Sequence, residues 1–169
     1  PCVLWMRSRA HQSKLFNVAC NWLFSPFADC LSTDQGHWIV EVQRESAYHG
    51  SLQTSATLTG MGYCHEGFAM PLDTVLRTAV PYYSRDAEPG ESEIAYSKRL
   101  VKQLSEQIDH ADPNTIAAFI GEPAIGAGGL IPPPEGYWDE VQNLLARHGI
   151  LLIADEIITG FGRTGEWFA

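Results

Sequence analysis

Two short apolar runs, each finishing on an acid, constrain this chain more than any other feature in it. Residues 116–120 (IAAFI) lead into Gly121, Glu122 and Pro123, and residues 150–154 (ILLIA) lead into Asp155 and Glu156. Each run has strand length and lacks a polar face, the pattern of a strand buried on both sides in a parallel sheet. Between them the glycines Gly126, Gly128 and Gly129 and the stiff Pro132, Pro133 and Pro134 give way to a helical pattern near Glu135. Tyr137, Val141, Leu144 and Leu145 share one face of it, and Gly149 is placed to end it. Strand, helix, strand in this order predicts a parallel βαβ unit. Open parallel sheets build their sites beyond the carboxyl ends of strands, so Glu122 and Asp155 are expected to face one crevice.

Upstream, Ser92 can cap a helix in which Ile94, Val101, Leu104 and Ile108 recur at helical spacing, with Asp112 and Pro113 to stop it. Lys98, Arg99 and Lys102 fall on its polar positions and read as a solvated face. Residues 50–85 are mixed and turn-rich, and predict a long excursion with little regular structure. Trp38, Val40 and Val42 alternate with Ile39, Glu41 and Gln43, which predicts a short strand running towards Tyr48. Residues before Trp38 hold no pattern that lasts.

Composition removes several classes of function. Eleven lysines and arginines stand against twenty acids, a net charge of −9 that repels phosphate backbones and anionic lipid, so nucleic-acid and membrane partners are not expected. Nor does any apolar stretch approach the ~20 residues of a spanning helix. Cys2, Cys20 and Cys30 follow no export signal and are read as free thiols. Together with His11 and His37 they are too evenly spread for a zinc site, and no metal is expected. A run ending on Asp155-Glu156 could be the magnesium strand of a P-loop ATPase, but Lys14, Lys98 and Lys102 are the only lysines and none follows a glycine. There is no Gly-x-Ser-x-Gly elbow either.

A carboxylate at a strand end can instead partner a protonated ring nitrogen, with an aromatic elsewhere to stack on the ring. Tyr48, His49 and Gly50 follow the first strand, and residues 150–165 read ILLIADEIITGFGRTG. This segment resembles the pyridoxal-phosphate-binding segment of class III aminotransferases. The likeness extends through FIGEPAIGAGGLIPPPEGYW at 119–138, AEPGESE at 87–93 and AYHG at 47–50, about three quarters of the chain.

The resemblance implies an α/β fold, a partial large domain of the fold-type I pyridoxal-phosphate-dependent transferases, with a mostly parallel sheet, flanking helices and active sites at a homodimer interface. Asp155 matches the acid that keeps the pyridine nitrogen protonated, so that the ring accepts electrons as the substrate Cα proton leaves. Ile157 matches the branched aliphatic against one ring face, and Tyr48 the aromatic stacked on the cofactor. His49 matches the position beside that aromatic, where a structural role is equally open, and Gly50 lets the backbone come close. Glu122 matches the acid of the Glu-Pro motif, which helps hold pyridoxal 5′-phosphate. Arg163 reads as a structural partner of a carboxylate or carbonyl.

Enzymes of the family that use 2-oxoglutarate place a second glutamate five positions after the Glu-Pro acid, where this chain has Ala127. With GAGGLIPPP at 126–134 and RTAVPYYSR at 77–85, this resembles the branch that moves amino groups from ω-amino acids or amines to 2-oxo acids such as pyruvate. The family's Schiff-base lysine lies beyond the aspartate segment, yet no lysine follows Lys102 and the sequence stops fourteen residues after Asp155. No phosphate-binding Gly-Ser/Thr turn precedes Tyr48. The expectation is therefore an incomplete central fragment, inactive by itself, with a non-catalytic truncated product as the alternative. Residues 1–44 carry four bases and three acids against seven and seventeen in the remainder. They are expected to be a segment unlike the family, ahead of the partial large domain at 45–169. A cytoplasmic location is expected, with the mitochondrion second.

Overall fold

The structure is a computed structural model that describes residues 46–68 and 75–169, together with the backbone of three strands upstream. In chain order the elements are β1 (Val3–Arg7), β2 (Phe16–Ala19), β3 (Ile39–Arg44), α1 (Gln53–Leu58), β4 (Val75–Thr78), α2 (Tyr83–Asp86), α3 (Glu93–Ala111), β5 (Ile116–Gly121), α4 (Tyr137–His148) and β6 (Leu151–Asp155). Short 3-10 turns lie at Gly62–Cys64 and Pro113–Thr115. The strands form one sheet in the order β2-β1-β6-β5-β3-β4. β6, β5, β3 and β4 are mutually parallel, while β1 runs antiparallel to both β6 and β2.

The predicted βαβ unit is present, and its strands are buried on both faces. Phe119 of β5 and Leu152 of β6 join one cluster with residues of α3 and α4, whereas Ala118, Ile120 and Ile153 form a second. The alternation of side chains along a strand puts these two sets on opposite sides of the sheet. The first cluster is the main core. Tyr96, Leu100, Val101, Leu104 and Ile108 of α3 meet Val141, Leu144 and Leu145 of α4 over Phe119. Trp138 adds an edge-to-face contact with Phe119 at 6.2 Å and anchors its indole N–H on the Pro123 carbonyl at 3.0 Å.

Local signals set the helix limits. The Ser92 hydroxyl accepts the Ala95 amide at 3.2 Å and starts α3. Gly149 ends α4 in the left-handed region at φ 72°, where a side chain would be strained, and its amide returns to the last carbonyls. Ile94, expected on the apolar face of α3, is instead 46% exposed. It occupies the first turn, and Tyr96 takes the buried place two positions on, four residues before Leu100. Arg99 is not simply solvated: its guanidinium grips both oxygens of Glu91 at 2.8 and 2.7 Å. Lys98 and Lys102 do remain exposed.

Residues 50–85 hold more regular structure than their composition suggests. α1 is short and β4 has four residues, below the length at which a periodic pattern stands out. Both depend on distant support. β4 adds to the sheet by parallel pairing with β3, and Arg77 on β4 donates to the Thr57 and Thr59 carbonyls at the end of α1, at 3.0 and 3.3 Å. The strand predicted near Trp38 is β3, and β1 and β2 lie in the stretch where no pattern lasts. Cys2, Cys20, Cys30, His11, His37 and Trp38 lie outside the described residues, among which Cys64 is a free thiol. None of the described helices is long and apolar enough to cross a membrane.

Candidate active site

The register of the sheet creates the site. β5 and β6 pair so that Gly121 faces Ala154, which brings the next residues, Glu122 and Asp155, side by side at the carboxyl ends of adjacent parallel strands. Both are buried, at 2% exposure each. β3 lies on the other side of β5, and the chain leaving it passes over these strand ends as Ala47, Tyr48, His49 and Gly50.

Two consecutive residues of that segment are tied to the two acids. The Tyr48 amide donates to Glu122 Oε1 at 3.3 Å, and the His49 ring meets Asp155 Oδ2 through Nδ1 at 2.8 Å. A carboxylate only accepts, so the proton of that bond sits on Nδ1. His49 is 3% exposed, and its Nε2 is buried with no hydrogen-bond partner. Its backbone amide is held by the Thr59 hydroxyl at 3.0 Å, which in turn lies within reach of the Gly50 and Ser55 carbonyls. The other Asp155 oxygen, Oδ1, accepts the Ile157 amide at 3.2 Å.

The remaining Glu122 oxygen, Oε2, accepts the Gly126 amide at 2.7 Å and so closes the loop that follows its own strand. That loop is pinned again by a two-bond bridge between Ile125 and Ile131. It also presses on the segment before Tyr48: a Cβ on Gly128 would stand 2.3 Å from the Ser46 carbonyl oxygen. No side chain larger than hydrogen fits there. Ala127 in this loop is exposed.

Tyr48, His49, Gly50, Glu122, Asp155 and Ile157 are thus gathered at one end of the sheet. Their exposures divide by chemistry. The polar groups His49, Glu122 and Asp155 are buried, while Tyr48, the neighbour of His49 in the chain, and Ile157, whose amide is bonded to Asp155, keep 38% and 49% of their surface. A buried carboxylate with a half-open aromatic and a half-open branched aliphatic in the adjoining segments, backed by a histidine with an unsatisfied ring nitrogen, suits a flat heteroaromatic ring with a basic nitrogen. Thr59 and Thr159 have no place in the sequence reading, and Glu156 has one only as the second acid of the Asp155-Glu156 strand end; all three are buried here. Threonines carry no positional signal that could have marked them, and Glu156 stood in the shadow of Asp155. Arg163, expected to bind a carboxylate or carbonyl, is exposed and forms no ion pair among the described residues. Among the described residues, no group of three His, Cys, Asp or Glu side chains is placed to hold a metal ion.

Comparison with known proteins gives this arrangement a context. The family model "Aminotransferase class-III" matches residues 32–169, starting upstream of the motifs that begin near Glu45. An uncharacterized aminotransferase of Sinorhizobium fredii is 46% identical over 127 residues, covering 75% of this chain and 27% of that protein. The diaminobutyrate–2-oxoglutarate transaminase of Halomonas elongata is 47% identical over 129 residues, covering 75% of this chain and 28% of that protein. The omega transaminase of Pseudomonas jessenii, solved in complex with PMP, superposes with a TM-score of 0.79 at 34% identity, covering 98% of this chain and 35% of that one. The chain therefore spans just over a quarter of the length of the curated relatives it matches. Its sheet and helices are part of the fold-type I α/β architecture of those transaminases. With the family's model matched over most of its length and the motif residues gathered at one sheet end, this chain belongs to the class III aminotransferases.

Proposed function

We propose that this chain forms the ring-binding part of a pyridoxal-phosphate-dependent transaminase that moves an amino group from an ω-amino acid or amine to a 2-oxo acid such as pyruvate. The observation that carries the reading is the buried His49–Asp155 pair at the carboxyl end of β6. When bound, pyridoxal 5′-phosphate supplies an electron-accepting ring that takes up charge as a substrate Cα proton leaves. Asp155 holds a proton at the ring nitrogen, and burial keeps water from competing for it. His49 fixes the Asp155 carboxylate through its Nδ1–H and prevents it from turning away. Tyr48 offers a flat face to the ring, Ile157 offers the opposite one, and Gly50 lets the main chain approach. Glu122 secures the Tyr48 main chain from below.

The choice of pyruvate rests on Ala127, which stands where 2-oxoglutarate enzymes resembling this chain carry a glutamate. The Halomonas relative is a 2-oxoglutarate enzyme by name, so the acceptor is decided by assay. We also infer that the 169 residues do not turn over unaided, because Lys98 and Lys102, the only lysines among the described residues, are exposed on α3. The active form is proposed to pair with a second copy. Titration with pyridoxine 5′-phosphate, which has no aldehyde to react with surface amines, tests the ring site by fluorescence. Saturable binding that Asp155→Ala weakens by about tenfold or more, the equivalent of one lost charge-assisted bond, is expected. Equal binding by the variant would overturn the reading. An amine-plus-pyruvate assay on the pure chain is expected to give no alanine; steady turnover would refute the claim of inactivity.

A further inference from the structure

Glu156 is a buried acid that no part of the proposed ring site uses. It is 2% exposed, and every bond to its carboxylate comes from a neutral donor. The Thr159 hydroxyl reaches Oε2 at 2.8 Å, and the Ala169 amide spans Oε1 and Oε2 at 3.0 and 2.9 Å. The Glu156 carbonyl accepts the Gly160 amide at 2.9 Å, and a Cβ on Gly160 would stand 2.8 Å from that oxygen. One residue therefore ties the beginning of the segment 157–169, at Thr159 and Gly160, to its far end at Ala169.

That segment needs gathering. Phe161 sits in the left-handed region at φ 59°, an unfavourable place for a bulky side chain, with its amide on the Trp167 carbonyl at 2.7 Å and its ring edge-on to Phe168 at 5.8 Å. Its outer surface exposes Phe161 and Trp167, so burial does little to hold it. Its entry is Ile157 and Ile158. Ile157 hangs from Asp155 Oδ1 by its amide, and Ile158 fills the space beside Gly126, where a Cβ would meet its Cγ1 at 2.7 Å.

We propose that Glu156 is a positioning residue: by closing the 157–169 loop on its carboxylate it fixes Ile157 beside Asp155, and so sets the aliphatic face of the ring site. This rests on the ring-binding reading, and it adds a residue that acts through Ile157 without touching the ring. Asp155 and Glu156 then divide the work of one strand end, the former turned to His49 and the latter to the loop.

Hydrogen exchange by mass spectrometry and pyridoxine 5′-phosphate titration, both on the full chain, separate the possibilities. Glu156→Ala is expected to speed exchange across 157–169 by about tenfold, leave β5 and α4 unchanged, and weaken the probe by about fivefold or more. Glu156→Gln is expected to restore both, since its amide oxygen accepts from Ala169 and its amide nitrogen can donate to the Thr159 hydroxyl. Unchanged exchange in the Ala variant, or a faster loop with unchanged probe affinity, overturns the proposal and leaves the ring site standing. If the unsubstituted chain binds no probe, the ring-binding reading falls and this proposal with it. Should Glu156→Ala speed exchange in β5 and α4 as well, Thr159→Val and Glu156→Gln decide. The proposal then requires a faster loop and weaker probe for the former and neither for the latter; any other result refutes it.

Discussion

The space between the sheet and its two long helices and the edge formed by the strand ends are a few residues apart in sequence, yet they are built from opposite materials. Over Phe119 the core is apolar throughout, with Tyr96, Leu104, Ile108, Val141, Leu144 and Leu145 buried together. One step beyond the strands, the buried residues are His49, Glu122, Asp155, Glu156 and Thr159. Burying apolar side chains is favourable in itself, whereas each buried acid must recover its lost hydration through bonds to the protein. The core can thus hold the fold while the edge carries the cost of chemistry.

The largest test of that contrast removes the centre of the core. Phe119→Ala should lower unfolding free energy by about 4 kcal/mol, read from the urea midpoint, because Trp138, α3 and α4 lose a shared contact. Next, His49→Ala should cost about 2 kcal/mol in the same measurement, since the buried Asp155 carboxyl loses its hydrogen-bond partner at Oδ2. If the two losses were equal, the edge would be as structural as the core. The probe titration sharpens the point: His49→Ala should weaken pyridoxine 5′-phosphate, and Phe119→Ala should not while the protein remains folded. Ser92→Ala, at the start of α3 and away from both regions, should cost about 1 kcal/mol through loss of its cap.

The smallest effect is a pH dependence at the corner that leads into α3. The Arg99 guanidinium, gripping both Glu91 oxygens, holds that carboxyl down at about 2 from its ordinary 4.5, with help from the Glu88 amide. A folded-state value below the unfolded one means stability that is complete above about 4.5 and is lost as pH falls towards 2. Hydrogen exchange in residues 83–99 should therefore quicken on acidification through that window. Arg99→Ala should remove the response. The pair is near the surface, so high salt should weaken it as well.

The elements of the core were readable because their signals are local. β5, β6 and α4 announce themselves by a continuous apolar run, a helical stripe and a terminal glycine, and α3 by Ser92 and its spaced apolar residues. β4 and α1 were not readable. Four residues with partly exposed side chains, and six with a mixture of serine, threonine and alanine, form regular structure only because β3 and Arg77 are there to receive them. Ile94 shows the limit from the other direction: it fits the stripe, but in the first turn of α3 it stays exposed.

The site follows the same division. The motif residues could be named from their likeness to the family, but their roles towards one another could not. Sequence by itself determined which acids end which strands, where the long helices begin and stop, and which family the chain resembles, since all of these are written in adjacent residues. Tertiary structure alone decided that His49 meets an aspartate 106 residues away and that Tyr48 hangs from a glutamate 74 residues away. It also decided that Glu156 turns to its own loop. Those choices depend on parallel register, which is fixed by packing across the sheet and leaves no mark on any one segment.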